Sequence, residues 1–208
     1  MKMNEDIILW LDIETTGLSI LEDDIWEIAA IITDREYNEI RRGHWYVKYD
    51  STWSGIDYYM TAFEEQKRFV YDMHITSGLR DDWLFAQADG SAFDLPTIDT
   101  LLCDFVSEYE GLIVLAGSSV HYDHQFIIRD LHAFSQRLMH RHHDISSVKT
   151  MINLIKRGAS DKYREDAGNK HRAMDDIEND IRWAKNFRHA LVASGVLGET
   201  PPTDAESS

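Results

Sequence analysis

The sequence predicts an α/β domain in which a mixed five-stranded sheet is flanked by helices. Three strand-like segments follow one another at 7–14, 26–34 and 41–50, with turn residues between them. Such a succession favours an antiparallel meander for the first three strands. A fourth apolar run, at 112–119, is short and continuous, as is typical of a strand that is buried on both faces.

Most of the remaining chain has the periodicity of helices. Residues 58–110 have a mostly helical pattern that Gly90 and Pro96 interrupt. The segment QFIIRDLHAF is amphipathic, and DISSVKTMINLIKR is typical of a strand end that leads into a helix. A last helix is predicted over 171–193.

The chain shows no internal repeat and no change in composition that would separate two domains. Its 208 residues suit one domain of generous size, and we expect that domain to cover residues 1–195. The last segment, 196–208, is mostly polar and contains proline. We predict that this tail is disordered.

The charge of the chain limits the kind of partner that it can bind. There are 37 acidic against 21 basic residues, which gives a formal net charge of −16. Proteins that hold long duplexes usually neutralise the phosphates with Lys and Arg. The charge therefore argues against a long duplex. It still allows a short or single-stranded nucleic acid, provided that a metal supplies local positive charge.

Three features predict a cytoplasmic location without a membrane partner. No stretch approaches the ~20 apolar residues that a membrane span needs. The first residues, MKMNEDIILW, carry acids where a signal peptide would carry positive charge. The single cysteine, Cys103, excludes an internal disulfide, as expected in a reducing compartment.

Two carboxylates stand at the end of the first predicted strand, in WLDIETTGL. Asp12 and Glu14 are two residues apart, so a strand directs both side chains to the same face. Neighbouring carboxylates on one buried face repel each other and lose hydration unless a positive charge lies between them. A divalent cation would supply that charge.

Further candidates lie in two later segments. In SSVHYDHQF, Asp123 follows the buried strand at 112–119, at the edge where open α/β sheets bind ligands. In KHRAMDDIEND, His171 and Asp175 are four residues apart and would share one face of a helix. Asp176 is the rival of Asp175, but it points about 100° away around a helix.

Together these groups predict a metal-dependent phosphodiesterase. Asp12, Glu14, Asp123 and Asp175 offer hard oxygen ligands, which suit Mg²⁺ or Mn²⁺. Two such ions about 4 Å apart can stabilise both the entering and the leaving oxygen of a phosphoryl displacement. His171 titrates near neutrality when unperturbed and could accept a proton from the attacking water.

Each candidate also has an ordinary structural explanation. Asp12 and Glu14 fit solvated acids at a strand end, and Asp123 fits the cap of a helix N-terminus. His171 and Asp175 fit an exposed helix that is rich in charge. Taken one at a time, these explanations are favoured over a catalytic role; the occurrence of all the motifs in order reverses that preference.

The motifs resemble those of a known family. The D-x-E of LDIETTGL, the Asp of VHYDHQF and the H-x-x-x-D of HRAMD are similar to the DEDDh 3′-to-5′ exonucleases, which have a ribonuclease H-like fold. Within them the chain most resembles the oligoribonucleases, through MHITSGL, AGSSVHYDHQFI and HRAMDDI. The resemblance covers about residues 7 to 190. It implies a homodimer that acts on short single-stranded oligonucleotides.

The resemblance also implies roles for individual residues. Asp12, Glu14, Asp123 and Asp175 match the ligands of two divalent ions, and His171 matches the general base. The residues that match substrate contacts are Leu18 as a wedge between the terminal bases, Phe69 as a stacking ring, His74 and Ser119 in the dinucleotide pocket, and Arg141 and Ser146 as the cap on the 5′ phosphate. A planar guanidinium suits phosphate oxygens.

The chain departs from the family pattern at two of these places. Phe69 stands where the family has a tryptophan, so it offers less area for stacking. His140 stands where the family has a tyrosine that the partner subunit contributes. It belongs to the run HRHH at 140–143, which fits a solvated basic turn. Phe69 and His74 fit core packing about as well as substrate contact.

We therefore expect a metal-dependent 3′-to-5′ exonuclease that hydrolyses oligoribonucleotides of about two to five residues to nucleoside 5′-monophosphates. One alternative is a proofreading or trimming exonuclease for longer single-stranded DNA or RNA. Another is a nucleic-acid-binding module without catalysis, whose mark in the sequence would be a missing ligand or base.

Overall fold

The fold was analysed in a computed structural model, which describes residues 7–49, 55–110, 113–164 and 171–196. Its strands are β1 (Ile7–Thr15), β2 (Ile25–Thr33), β3 (Glu39–Tyr46), β4 (Ile113–Gly117) and β5 (Leu138–Asp144). Its helices are α1 (Ile56–Gln66), α2 (Arg68–Thr76), α3 (Leu79–Asp89), α4 (Leu95–Phe105), α5 (His121–Asp130), α6 (His132–Ser135), α7 (Ile145–Ile155) and α8 (Ala173–Ala193), with a 3-10 helix at Asp161–Tyr163.

The five strands form one mixed sheet in the order β3-β2-β1-β4-β5. β1 pairs antiparallel with β2, and β2 pairs antiparallel with β3. β4 pairs parallel with β1 on one side and with β5 on the other. This arrangement confirms the predicted α/β class, the five strands and the antiparallel meander of the first three.

The central strands β1, β2 and β4 are largely buried on both faces, which explains their long apolar runs, whereas the edge strand β3 is mostly exposed. All nine residues of β2 are buried, although an antiparallel strand often has one wet face. One face packs against α4, α5 and α6 through residues such as Leu11, Ile28 and Phe126. The other face packs against α8 through Trp10, Ile31 and Trp183, among others.

The helices α1 to α3 pack together beside the N-terminal end of β2. Trp26 lies at its centre and stacks on Trp83 with ring centroids 4.4 Å apart. Phe63, Tyr71 and Leu79 complete this apolar cluster. Within the described part of the chain, we find no helix that combines the length and the apolar character needed to cross a bilayer.

Most predicted elements lie within a few residues of the observed ones, and two differ in ways that affect the site. The run HRHH belongs to strand β5, so the prediction of a basic turn was wrong. The last helix begins at Ala173, two residues after the predicted start at 171. The predicted tail lies outside the described residues from 197 onwards, and its disorder stays a prediction, as does the domain boundary at 195.

Candidate active site

The end of β1 brings Asp12 and Glu14 to one face of the sheet, as the spacing predicted. A third group, Asp123, lies in the first turn of α5. Its Oδ1 accepts a hydrogen bond from the backbone N–H of Ile13, at 2.9 Å. Asp123 therefore joins α5 to the strand between the two carboxylates and keeps its own carboxylate beside them.

Helix α8 supplies the carboxylate that completes a compact cluster. Oxygen atoms of Asp12, Glu14 and Asp176 lie within 4.8 Å of one another. These are hard oxygen donors, and such a set fits Mg²⁺, Mn²⁺ or Ca²⁺ better than a metal that prefers nitrogen or sulfur. Asp123 lies outside this mutual distance, but its charge still acts on Asp12.

The prediction that Asp175 joins this cluster was therefore wrong, and its neighbour Asp176 lies there instead. The spacing argument assumed that His171 is helical, whereas α8 begins only at Ala173. The buried face of α8 contains Ala173, Ile177 and Asp180, and Asp176 lies beside Ile177, one turn before Asp180. Asp175 points away from this face, and its like charge only raises the pKa of Asp176.

The pKa values of the cluster show that neighbouring positive charges do not compensate these carboxylates when no metal is bound. Burial, followed by the charges of Asp123 and Glu14, raises the pKa of Asp12 well above its ordinary value. Burial and the charge of Glu27 raise the pKa of Glu14 to about 8. Burial also raises the pKa of Asp123 to about 7 and that of Asp176 to about 6. A bound cation would remove this penalty.

His171 lies at the mouth of this cluster, just before α8. Its side chain is exposed, and its backbone has a φ of +49°, a left-handed conformation that is uncommon for a residue with a side chain. His171 lies close enough to Asp176 for its positive form to oppose the rise in the pKa of that carboxyl. An exposed imidazole beside a carboxylate cluster has the placement of a general base.

Comparison with known proteins decides the family. The family model RNase_T, described as exonuclease, matches residues 9–65. An oligoribonuclease of Mycobacterium avium is 33% identical over 194 residues, which cover 90% of this chain and 83% of that protein. An oligoribonuclease of Streptomyces avermitilis is 33% identical over 189 residues, which cover 89% of this chain and 87% of that one. The chain belongs to the oligoribonuclease family. It is an exonuclease, as the motifs predicted.

A solved structure shares the fold of this oligoribonuclease family member. The zinc-bound complex of E. coli exonuclease I with single-stranded DNA matches with a TM-score of 0.61 and 17% identity, and the match covers 91% of this chain. The chain spans only 42% of the length of that structure. The likeness confirms the predicted ribonuclease H-like fold.

A loop that is fixed by several hydrogen bonds carries Leu18 in this oligoribonuclease family member. Leu18 is 72% exposed and lies three residues after Thr15, the last residue of β1. Asp23 is buried beneath the loop and accepts hydrogen bonds from Thr16 Oγ1 at 2.9 Å and from Ser19 N at 2.8 Å. Leu18 is therefore an exposed apolar side chain on a well-fixed backbone.

The two candidates in α2 differ sharply in exposure. Phe69 is 83% exposed, so its ring is free to meet a base. His74 is fully buried, donates from Nε2 to the carbonyl of Thr15 at 2.8 Å, and stacks on Trp26. Its Nδ1 is also buried and has no hydrogen-bond partner among the described residues. The structure thus places His74 in the wall behind β1, and contact with substrate stays a prediction.

Two residues predicted to contact the substrate come together: Ser119, expected in the dinucleotide pocket, and Ser146, expected at the 5′ phosphate. Ser119, whose φ is +55°, donates from its hydroxyl to that of Ser146 at 3.2 Å. Ser146 lies in the first turn of α7, whose N-cap residue Asp144 accepts a hydrogen bond from Ser147 N at 2.9 Å. Arg141 is exposed on β5, five residues before Ser146.

Sequence reasoning missed one buried carboxylate of the site, Asp180. It lies one turn after Asp176 and accepts hydrogen bonds from Ser118 Oγ at 2.7 Å and from Lys149 Nζ at 3.4 Å. Its charge raises the pKa values of both Asp12 and Asp123. The i,i+4 spacing of Asp176 and Asp180 in HRAMDDIEND was the available signal.

Proposed function

We propose that this chain is a metal-dependent 3′-to-5′ exoribonuclease that hydrolyses oligoribonucleotides of about two to five residues to nucleoside 5′-monophosphates. The observation that carries the proposal is the cluster of Asp12, Glu14 and Asp176 with His171 at its mouth. Membership of the oligoribonuclease family supports the choice of substrate.

The catalytic roles follow from the positions of the side chains. Asp12, Glu14 and Asp176, with Asp123 beside them, would hold two divalent ions, Mg²⁺ or Mn²⁺. The ions would supply positive charge for the oxygens of the reacting phosphate. His171 would accept a proton from the water that attacks the phosphorus. The bond from phosphorus to the preceding 3′ oxygen breaks, and the terminal nucleotide leaves as a 5′-monophosphate.

The exposed residues around the cluster would select a short single-stranded substrate. Leu18 would separate the two terminal bases, and Phe69 would stack on one of them. Arg141 and Ser146 would bind the 5′ phosphate, and Ser119 and His74 would line the dinucleotide pocket. Because the terminal bases are held at one end of the pocket and the 5′ phosphate at the other, only a short chain fits.

We also propose that the protein is a cytoplasmic homodimer. Met151, Leu154 and Ile155 are exposed on α7, an apolar face that a second copy would cover. Light scattering during size-exclusion chromatography tests this directly. Leu154→Asp should convert a dimer to a monomer, whereas a wild-type protein that elutes as a monomer would contradict the proposal.

The function is tested with 5′-labelled oligoribonucleotides of two, five, twelve and 24 residues, with Mn²⁺, with Mg²⁺ and with EDTA. We expect rapid hydrolysis of the dinucleotide, slow hydrolysis of the 24-mer and no reaction in EDTA. Asp12→Asn serves as the control for a contaminating nuclease. Preferential shortening of the 24-mer would favour the trimming exonuclease, and binding without hydrolysis would favour a non-catalytic module.

A further inference from the structure

A further buried carboxylate, that of Glu27, lies next to the carboxylate cluster but is bonded to other residues. Glu27 is paired with Glu14 in the register of β1 and β2, so both side chains lie on one face. Its oxygens accept hydrogen bonds from His44 Nε2 at 2.7 Å, Arg172 Nη2 at 2.8 Å and Ala173 N at 3.1 Å. These donors, rather than a metal, compensate the buried charge.

The pKa of Glu27 agrees with a carboxylate that is ionised at neutral pH. Burial opposes its charge, but the hydrogen bonds from His44 and Arg172 outweigh burial and lower the pKa of this carboxyl to about 2. Glu14, directly opposite, shows the reverse shift, to about 8. Of two facing carboxylates, one is thus neutralised by protein donors and the other is left for a cation.

Arg172 connects this carboxylate to two further elements. Its guanidinium donates to Glu27 on β2, to Tyr46 OH on β3 at 2.8 Å, and to Asp82 Oδ2 on α3 at 2.7 Å. Its side chain is mostly buried, and a planar guanidinium that is bound on several sides has little freedom to move. Arg172 is also the residue that follows His171 in the chain.

His171 depends on such an anchor more than Asp176 does. Asp176 belongs to α8, which packs on the sheet through Ala173, Ile177 and other buried residues. His171 precedes the helix, its side chain is exposed, and its φ of +49° is a conformation that persists only when the surroundings impose it. The bonds from Arg172 and from Ala173 N to Glu27 fix the backbone immediately after it.

We propose that Glu27 and Arg172 are positioning residues that hold His171 in its catalytic orientation beside the carboxylate cluster. This inference rests on the proposed role of His171 as the general base. It assigns no metal ligation to Glu27 and no substrate contact to Arg172. The pair acts on the reaction through the imidazole.

The test compares Glu27→Gln and Arg172→Met with the wild-type protein on a labelled dinucleotide in Mn²⁺. We expect kcat to fall about 10- to 100-fold, less than the roughly 100- to 10,000-fold that general base catalysis contributes, because the imidazole is misplaced rather than removed. KM and the dissociation constant of Mn²⁺, measured by calorimetry, should change less than threefold. Arg42→Met is the matched control, because Arg42 on β3 also binds α8, through Glu178, without contacting His171. Its kcat should equal that of the wild type.

A double-mutant cycle separates positioning from general damage to the structure. In a His171→Ala background, Glu27→Gln should lower kcat less than twofold further, since the group that it positions is already absent. An undiminished loss in that background, or a parallel loss of Mn²⁺ affinity, would overturn the inference. If Arg172→Met does not fold, Arg172→Lys replaces it and should show a partial loss of kcat. Wild-type kcat in both Arg172→Lys and Glu27→Gln would overturn the inference.

The same cycle distinguishes this inference from the proposed function. Wild-type kcat in His171→Ala would refute the general-base role and with it the proposed mechanism. A large loss in His171→Ala together with wild-type kcat in Glu27→Gln would refute only the positioning pair.

Discussion

Asp123 Oδ1 accepts a hydrogen bond from the backbone N–H of Ile13, the residue between Asp12 and Glu14. One carboxylate thus does two things: it fixes the strand that carries the cluster, and it adds a negative charge beside Asp12. The two roles are separable, because an amide oxygen can accept the same hydrogen bond without carrying the charge.

Substitutions of Asp123 should therefore separate stability from activity. Asp123→Asn keeps the acceptor for Ile13 and should change the free energy of unfolding by less than about 1 kcal/mol. Asp123→Ala leaves a buried N–H unpaired and should cost about 1–3 kcal/mol. Both should lower kcat/KM about 10- to 100-fold or more, as loss of a group beside a metal does. Urea unfolding and dinucleotide hydrolysis measure the two effects. Equal stability of both variants would contradict the structural role.

The adjacent residues Asp175 and Asp176 offer a matched pair for the metal site. Asp176→Asn removes an oxygen donor from the cluster and should lower kcat about 100-fold or more, with weaker binding of Mn²⁺. Asp175→Asn removes a charge of the same sign from outside the cluster and should change kcat less than about threefold. Calorimetric titration with Mn²⁺ and dinucleotide hydrolysis decide between them. A larger loss of kcat in Asp175→Asn than in Asp176→Asn would favour Asp175 as the metal ligand.

These residues also show how far the sequence predicts the site. The D-x-E spacing places Asp12 and Glu14 correctly, because the faces of a strand alternate whatever its partners are. The choice between Asp175 and Asp176 depends on where α8 begins, and helix ends are poorly predicted from local pattern. His171 lies before the helix with a φ of +49°, and the hydrophobic periodicity of the sequence does not predict such a conformation.

The residues that the sequence did not reveal act across long separations. Glu27 and Arg172 are 145 positions apart, and nothing in either segment indicates that they pair. From the sequence, Asp180 is one more acid of a charged helix. Only the structure shows that it accepts a hydrogen bond from Ser118. By contrast, the mixed five-stranded sheet and the antiparallel meander of its first three strands follow from strong apolar runs and from the resemblance.

The raised pKa values predict how stability depends on pH without metal. A carboxyl whose pKa is higher in the folded state binds protons more tightly there, so its stabilising effect is present below its ordinary pKa and is lost as pH rises through the folded value. For Glu14 this window runs from 4.5 to about 8, and for Asp123 from 3.8 to about 7. The opposite effect of Glu27, whose pKa is lowered to about 2, is complete above pH 5.

The melting temperature in EDTA should therefore fall between pH 5 and pH 8, and Mn²⁺ should reverse the fall, because it binds the ionised carboxylates. Glu14→Gln removes one of the titrating groups and should show a shallower decline in EDTA than the wild type. Differential scanning calorimetry at pH 5, 6, 7 and 8 provides the comparison. A slope that is unchanged in Glu14→Gln would show that other groups govern the dependence.

The last prediction concerns Gly17, which precedes the exposed Leu18. A Cβ at this position would lie 2.5 Å from Asp23 Oδ2, and Asp23 cannot yield easily, because it is buried and bonded to Thr16 and Ser19. Gly17→Ala should therefore destabilise the protein by about 1–3 kcal/mol, as overpacking does. Because the strain falls on the loop that carries Leu18, KM for a dinucleotide should rise more than kcat falls.

Gly55→Ala is the control for Gly17→Ala, because no atom of the described residues comes within 4 Å of the Cβ that it would add. Its stability and its KM should stay close to the wild-type values. Leu18→Ala should raise KM as Gly17→Ala does but leave the free energy of unfolding nearly unchanged, since this side chain is exposed. If Gly17→Ala lowers stability while KM stays constant, the loop holds β1 and Asp23 together without positioning the substrate. Leu18 would then lose its proposed role as a wedge.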